Sequence, residues 1–345
     1  MNRYNYLMIG VALLVSCERP VSRKQPANNH PFVTEVRLKT TPVKNQGHSD
    51  LCWLYAMLAT IETEHVMQGD SVNLSTDYVA RQFLQDQTRR YYLSHGRQPI
   101  SMRGMNTMLI NLLQTSGAEP YDSYYHTGAV NYHKLMKELE HTTDIGIGRR
   151  AGLVWTEQNA NELFDHEIGY LPRIIAMLGA KYTPLEFAHS VCRKDEYVAM
   201  TSFTHHPFYQ WFVLETPDNQ NNDQFYNVPI DTLMQSIEQS IRAGHPVCWE
   251  GDISEQGFSF QEGVARLRHE GLPVTQEHRQ KSFEQFATTD DHCMELMGIA
   301  HDHKGNRFFI AKNSWGMGNP YGGYMYLSYN YVKLKTVAII EKRKE

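Results

Sequence analysis

The residues best suited to chemistry lie far apart in the chain: Cys52 in NQGHSDLCW (45–53), His292 in DDHCMELMGIA (290–300) and Asn313 in AKNSWG (311–316). Cys52 stands where a polar, turn-prone stretch meets a helical pattern. A thiol at a helix start faces unpaired backbone N–H groups and the positive end of the helix dipole, and both favour the thiolate. Such a thiolate attacks a carbonyl carbon when a base, a group that orients the base, and donors for the oxyanion are supplied. His292 can act as the base, with Asn313 at its other ring nitrogen. Gln46, six residues before Cys52, can aim its NH2 at the oxyanion together with the N–H of Cys52, and Trp315 can keep water from the His–Asn bond. The chemistry is acyl transfer.

Those residues need elements to bring them together. Apolar Leu54, Met57, Leu58 and Ile61 recur at helical spacing, so a helix is predicted from 52 to about 67, stopped by Gly69-Asp70. LSTD (74–77) caps a second helix to about 84, and a third runs from about 104 to 116 before Gly117. Met234, Ile237 and Ile241 mark a helix over 231–243, followed by a buried strand at 247–249. The apolar runs 293–300 and 307–313 flank HDHKGN and read as a β-hairpin, with further strands at 324–327 and 337–341. Residues equidistant from a hairpin turn face each other, which puts His292 beside Asn313 within a residue or two of register. Residues 130–225, broken by Pro172, Pro184, Pro207 and Pro217, are partly helical and otherwise unassigned. The expected class is α+β: two lobes, helices in the first half, an antiparallel sheet in the second, and a cleft between them.

Composition narrows the function. Of 345 residues, 41% are hydrophobic and 21% charged, and the net charge is −5 with Lys and Arg scattered, so neither nucleic acid nor an anionic membrane face is an expected partner. The start, MNRYNYLMIGVALLVSC, has a short apolar run ending at Ser16-Cys17, too short to span a bilayer but suited to a signal peptide. It resembles a bacterial lipobox, which implies cleavage before Cys17, lipidation of that thiol, and an exported protein tethered to the membrane. The reading is therefore a signal segment over 1–17, a tether over 18–40 and one catalytic domain over 41–345. Cys192 and Cys248 are read as buried reduced thiols, with a bridge between them left open, and Cys293 as a core residue on the strand face opposite His292. His205-His206 lack further spaced ligands and His301-Asp302-His303 sit on a turn, so neither metal nor cofactor is expected.

The three motifs, in the order Gln, Cys, His, Asn, resemble the papain-like cysteine peptidases. TSFTHHPFYQWFVLETPDN, YNVPID, GDISEQGFSF and TTDDHCMELMGIA are similar more narrowly to the bleomycin hydrolase and aminopeptidase C branch, in particular its Bacteroidetes members. The short interval between Cys17 and Pro42 and the serine at 49, where papain has a disulfide cysteine, fit that branch. The resemblance implies a peptide substrate, the papain-like fold, a Cys52–His292–Asn313 triad with Gln46, and Gly104, Arg103, Asp291 and Trp315 as substrate contacts. Gly104 reads equally well as a helix-start glycine without a ligand.

Three departures from the family pattern stand out. Asp50 occupies a usual glycine position near the nucleophile. Arg103 replaces another glycine and either selects carboxylate-bearing substrates or snorkels outward. The C-terminal KTVAIIEKRKE reads as lacking the arm that restricts aminopeptidase C relatives to N-terminal trimming, so neither exopeptidase restriction nor their hexamer is carried over. Hydrolysis by amino-terminal or by internal cleavage both stay open. So do a transpeptidase or amidase on the same triad, and a surface lipoprotein that keeps the fold as a binding module.

Overall fold

The protein is described here by a computed structural model covering residues 31–126, 128, 130–172, 174–177 and 180–344. The signal segment and Cys17 lie outside the described residues. The first part of the chain comprises β1 (Phe32–Arg37), α1 (Cys52–Gln68), α2 (Thr76–Leu93), α3 (Asn106–Ser116), α4 (Tyr132–Arg149) and α5 (Gly152–Glu167). The middle holds β2 (Ile175–Met177), β3 (Ala180–Tyr182), α6 (Pro184–Val191), β4 (Tyr197–Thr201), β5 (Trp211–Val213), β6 (Gln224–Asn227), α7 (Ile230–Arg242) and β7 (Val247–Gly251). The last part adds β8 (Phe258–Ser259), β9 (Val264–Ala265), α8 (Gln276–Glu284), β10 (His292–Asp302), β11 (Arg307–Lys312), β12 (Tyr324–Ser328), α9 (Tyr329–Lys335) and β13 (Thr336–Lys342).

The central helix α1 forms because residues 52–68 contain neither Gly nor Pro, and it ends at Gly69, whose φ of 96° closes the left-handed C-terminal turn. It is buried on almost every face, so its polar residues need partners. Glu62 receives Lys44 Nζ at 2.6 Å, Thr41 Oγ1 at 2.5 Å and the Leu74 N–H at 2.7 Å. These bonds fasten residues 41–44, which lead into the Gln46 loop, to the helix that carries Cys52. Around α1, one apolar cluster joins Leu54, Met57 and Ile61 to Tyr78 and Phe83 of α2, Leu109 and Leu113 of α3 and Leu135 of α4.

The sheet has the order β5-β6-β4-β13-β7-β10-β11-β12-β9-β8, with β1 added along β10. Its pairings are antiparallel except β4–β6 and β9–β12. A second core lies on it, where Ile237 and Ile241 of α7 meet Val247 and Trp249 of β7 and Met294 and Leu296 of β10. The α+β class and the helical-then-sheet order are as expected from the sequence.

Several details differ from the sequence reading. Residues 32–37, assigned to the tether, are strand β1, paired from Phe32↔Asp302 to Arg37↔Gly298, so the ordered domain starts before residue 41. The helix α2 continues to Leu93, because Leu84, Gln87, Thr88 and Tyr91 keep the helical spacing of its buried face although two of them are polar. The unassigned middle contains α4, α5 and α6 and three strands of the large sheet, short segments whose strand identity comes from neighbours distant in sequence.

Candidate active site

Cys52 is the first residue of α1, so its backbone N–H has no intrahelical acceptor and points out of the helix end. Trp53, fully buried beside it, donates from Nε1 to the Met102 carbonyl at 2.9 Å. This fixes the 102–104 segment as a wall next to the thiol. Space favours glycine at 104: a Cβ there would lie 2.9 Å from Met108 Sδ and 3.1 Å from Trp53 Cε2, so both side chains would have to give way.

Across from α1, β10 begins at His292. The ladder with β11 runs from His301↔Arg307 to Glu295↔Lys312 and contains a bulge between Leu296 and Gly298. The ladder beside the turn would continue to put Asn313 opposite residue 295, and the bulge moves it to 294, two residues from the expected 292. Residues 292 and 294 share a face of the strand, and the side chains still meet diagonally. His292 Nε2 and Asn313 Oδ1 are 2.8 Å apart and both residues are buried. That bond leaves Nδ1 of the ring for Cys52, with which His292 also hydrogen-bonds. The Trp315 ring lies 4.7 Å from the imidazole, centroid to centroid, and is itself packed on Phe258 and Phe260.

Ser314, which the sequence reading passed over, ties the two lobes. Its N–H donates to Asn313 Oδ1 at 2.8 Å, and its hydroxyl donates to Gln46 Oε1 at 2.5 Å. Its carbonyl takes the Gln46 N–H at 2.8 Å, and Asn45 and Trp315 form an isolated antiparallel bridge. Gln46 Nε2 donates one N–H to the Ser49 carbonyl at 2.6 Å and keeps a second for another acceptor. The loop turns at Gly47, with φ of 61°. Asp50 does not share that requirement: its φ is not positive, so the position tolerates a side chain.

The Cys52 thiol is held well below the ordinary thiol value. The largest cause is a hydrogen bond with the Cys293 thiol; burial opposes it, and His292 adds a hydrogen bond and its charge. Cys293 itself is pushed up by its buried, apolar surroundings, so the thiolate belongs on Cys52. Cys293 is buried as expected, but it does not turn away from the site: it contacts the nucleophile and lines the same cleft. Cys192 and Cys248 are unpaired, buried thiols.

The cleft, about 330 Å³, is lined by Gln46, Asp50, Cys52, Arg103, Gly104, Asp291, His292 and Trp315, so the candidate residues of the sequence reading gather there, with Asn313 behind His292. Arg103 does not snorkel free. Half exposed on the cleft wall, it bonds Asp218 through Nε at 2.8 and 3.1 Å and the Asp290 carbonyl through Nη2 at 3.0 Å, so the cation there is ion-paired. Asp218, Asp290, Ser314 and Cys293 were missed because their placement depends on chain crossings that local patterns do not report. His205 and His206 do gain a third group: Glu215 accepts from their Nε2 atoms at 3.2 and 2.6 Å. Those bonds satisfy the trio as a hydrogen-bonded cluster, although the sequence reading found no such partner.

Comparison with known proteins adds a family likeness. The profile of the Peptidase C1-like family matches residues 177–344, which include His292 and Asn313. Among solved structures, PepW from Lactobacillus rhamnosis is similar with a TM-score of 0.69 at 17% identity, over 89% of this chain and 81% of that one. The bromelain protease from Ananas comosus aligns at a TM-score of 0.42 and 13% identity, over 89% of this chain and 94% of that one. Xylellain, a cysteine protease from Xylella fastidiosa, aligns at 0.45 and 13%, over 91% and 86%. Among curated proteins the sequence has no match. The likeness to the Peptidase C1-like family thus covers residues 177–344, just under half of the chain, and the likeness to PepW is one of fold.

Proposed function

We propose that the protein hydrolyses peptide bonds through a thioester on Cys52, with His292 as the acid and base, Asn313 orienting the imidazole, and Gln46 and the Cys52 N–H receiving the oxyanion. The observation that carries this reading is the buried 2.8 Å bond between His292 Nε2 and Asn313 Oδ1, which directs the other ring nitrogen to a thiol at the start of α1. In the first step the Cys52 sulfur bonds to the carbonyl carbon, and the proton on His292 passes to the departing amine. In the second step His292 takes a proton from water, whose oxygen displaces the sulfur.

Space adjoining the catalytic cleft supports a peptide substrate. Beyond the Gln46–Ser49 loop a second cavity of about 930 Å³ is lined by Tyr55, Asp77, Tyr121 and Tyr132, and it shares that loop with the catalytic cleft. An epoxysuccinyl inhibitor should label Cys52 and fail to label Cys52→Ala; a folded wild-type protein that resists labelling would refute the reading. Peptide libraries with free and with blocked N-termini then separate amino-terminal from internal cleavage.

For the cell, we infer export and lipid anchoring at Cys17, from the sequence 1–17 alone. Metabolic labelling with a fatty acid analogue should mark the protein and not Cys17→Ala. Equal labelling of both would sink the anchor.

A further inference from the structure

Beside the nucleophile lies a set of buried polar atoms whose bonding is incomplete. Glu250 is 1% exposed and Asp290 8%; Glu250 Oε1 and Asp290 Oδ2 receive no donor from any described residue. Asn106, 1% exposed, has neither its Oδ1 nor its Nδ2 bonded among the described residues. Buried polar atoms are nearly always paired, so four of them in one place need an explanation.

Topology puts them at the reacting centre. Glu250 on β7 is directly opposite Cys293 on β10, so the two side chains share a face of the sheet, and Cys293 touches Cys52. Asn106 opens α3, and its N–H approaches Glu250 Oε2 at 3.5 Å. The Glu250 and Asp290 carboxyls face each other, and of this group Asp290 lines the cleft beside Cys52 and Gly104. Two facing carboxyls in a dry site coexist by sharing a proton or by holding a cation. Arg103 does not serve as that cation, since its Nε is bonded to Asp218 and its Nη2 to the main chain of Asp290. Asp50 and Asp291 add negative charge at the rim.

We propose that the Asp290 carboxyl at the cleft wall, with Glu250 and Asn106 packed behind it, binds a cationic group of the substrate, either the free α-ammonium of a peptide or the side chain of a lysine or arginine. The inference rests on the peptidase reading and names its specificity. An ammonium has three N–H donors and a guanidinium five, and the cluster offers unpaired oxygens, Asp290 Oδ2 first and Glu250 Oε1 and Asn106 Oδ1 behind it, to receive them. The Arg103 substitution therefore does not direct the cleft toward carboxylates; with its charge met by Asp218, the remaining field favours the opposite sign.

The test measures binding without turnover, so it stands apart from whether peptides are cleaved. Calorimetry on Cys52→Ala protein compares acetyl-capped peptides carrying one arginine at successive positions, the same peptides with citrulline, and citrulline peptides with a free N-terminus. One cationic arm should bind about tenfold more tightly than its neutral counterpart, and the arm that does so identifies the source of the charge. The preference should vanish in Glu250→Gln and shrink in Asp290→Asn, the latter guarding against a Glu250 variant that fails to fold. Equal binding in all arms, or a preference that survives both substitutions, overturns the proposal.

Discussion

Replacing Asn313 with alanine removes the acceptor for His292 Nε2 and leaves that N–H buried. His292 is 3% and Asn313 2% exposed, so water does not readily replace the lost partner. A buried hydrogen bond to a charged group contributes about 1.5–3 kcal/mol. At about 1.4 kcal/mol per factor of ten, that predicts a rate loss of about 10- to 150-fold. The assay is alkylation of Cys52 by iodoacetamide across pH, which follows the thiolate and needs no knowledge of the substrate. His292 lowers the Cys52 thiol in the folded protein; a ring released by Asn313→Ala stabilises the thiolate less, so the acid limb of the profile should move to higher pH. Asn313 also accepts the Ser314 N–H, so a fall of a few degrees in melting temperature is expected, and Asn313→Asp, which keeps an acceptor there, controls for it. Alkylation within twofold of wild type and an unmoved pH profile would refute the orienting role.

Two further outcomes are expected. Gln46→Ala, which removes an N–H aimed at the cleft, should lower kcat about 100-fold with KM little changed, and an equal effect on KM alone would mean Gln46 only binds. Glu119 is fully buried, neither carboxyl oxygen is bonded among the described residues, and burial raises its pKa from the ordinary 4.5 to about 7. The folded state thus holds this proton more tightly than the unfolded one, so stability is lost as pH rises between about 4.5 and 7 and not further above. Thermal melts at pH 5 and pH 8 should show a smaller difference in Glu119→Gln than in wild type; an unchanged difference contradicts the assignment.

Much of the site was legible in the sequence because its parts are local. Cys52 at a helix start, with Gln46 on the preceding turn, is set by the change from polar residues to helical spacing, and α1 begins at that residue. His292 and Asn313 belong to one hairpin whose arms are fixed by its turn. The pairing was off by two residues, because the turn centres near residue 304 and the bulge at Leu296–Gly298 takes back only one of the residues this displaces; no periodicity announces either. The strand β1 was missed for a related reason: residues 32–37 are mostly exposed and read as a polar tether until β10 supplies their hydrogen bonds.

The sequence by itself determined which atoms can react and the local elements that carry them, since side-chain chemistry and short-range patterning are properties of the chain. Only the tertiary structure decided the surroundings of those atoms. Cys293 met Cys52, Arg103 met Asp218, and Glu250 met Asp290 through pairings of segments far apart in sequence. Such contacts depend on register, burial and the approach of separate elements, and these decide which charge the cleft presents.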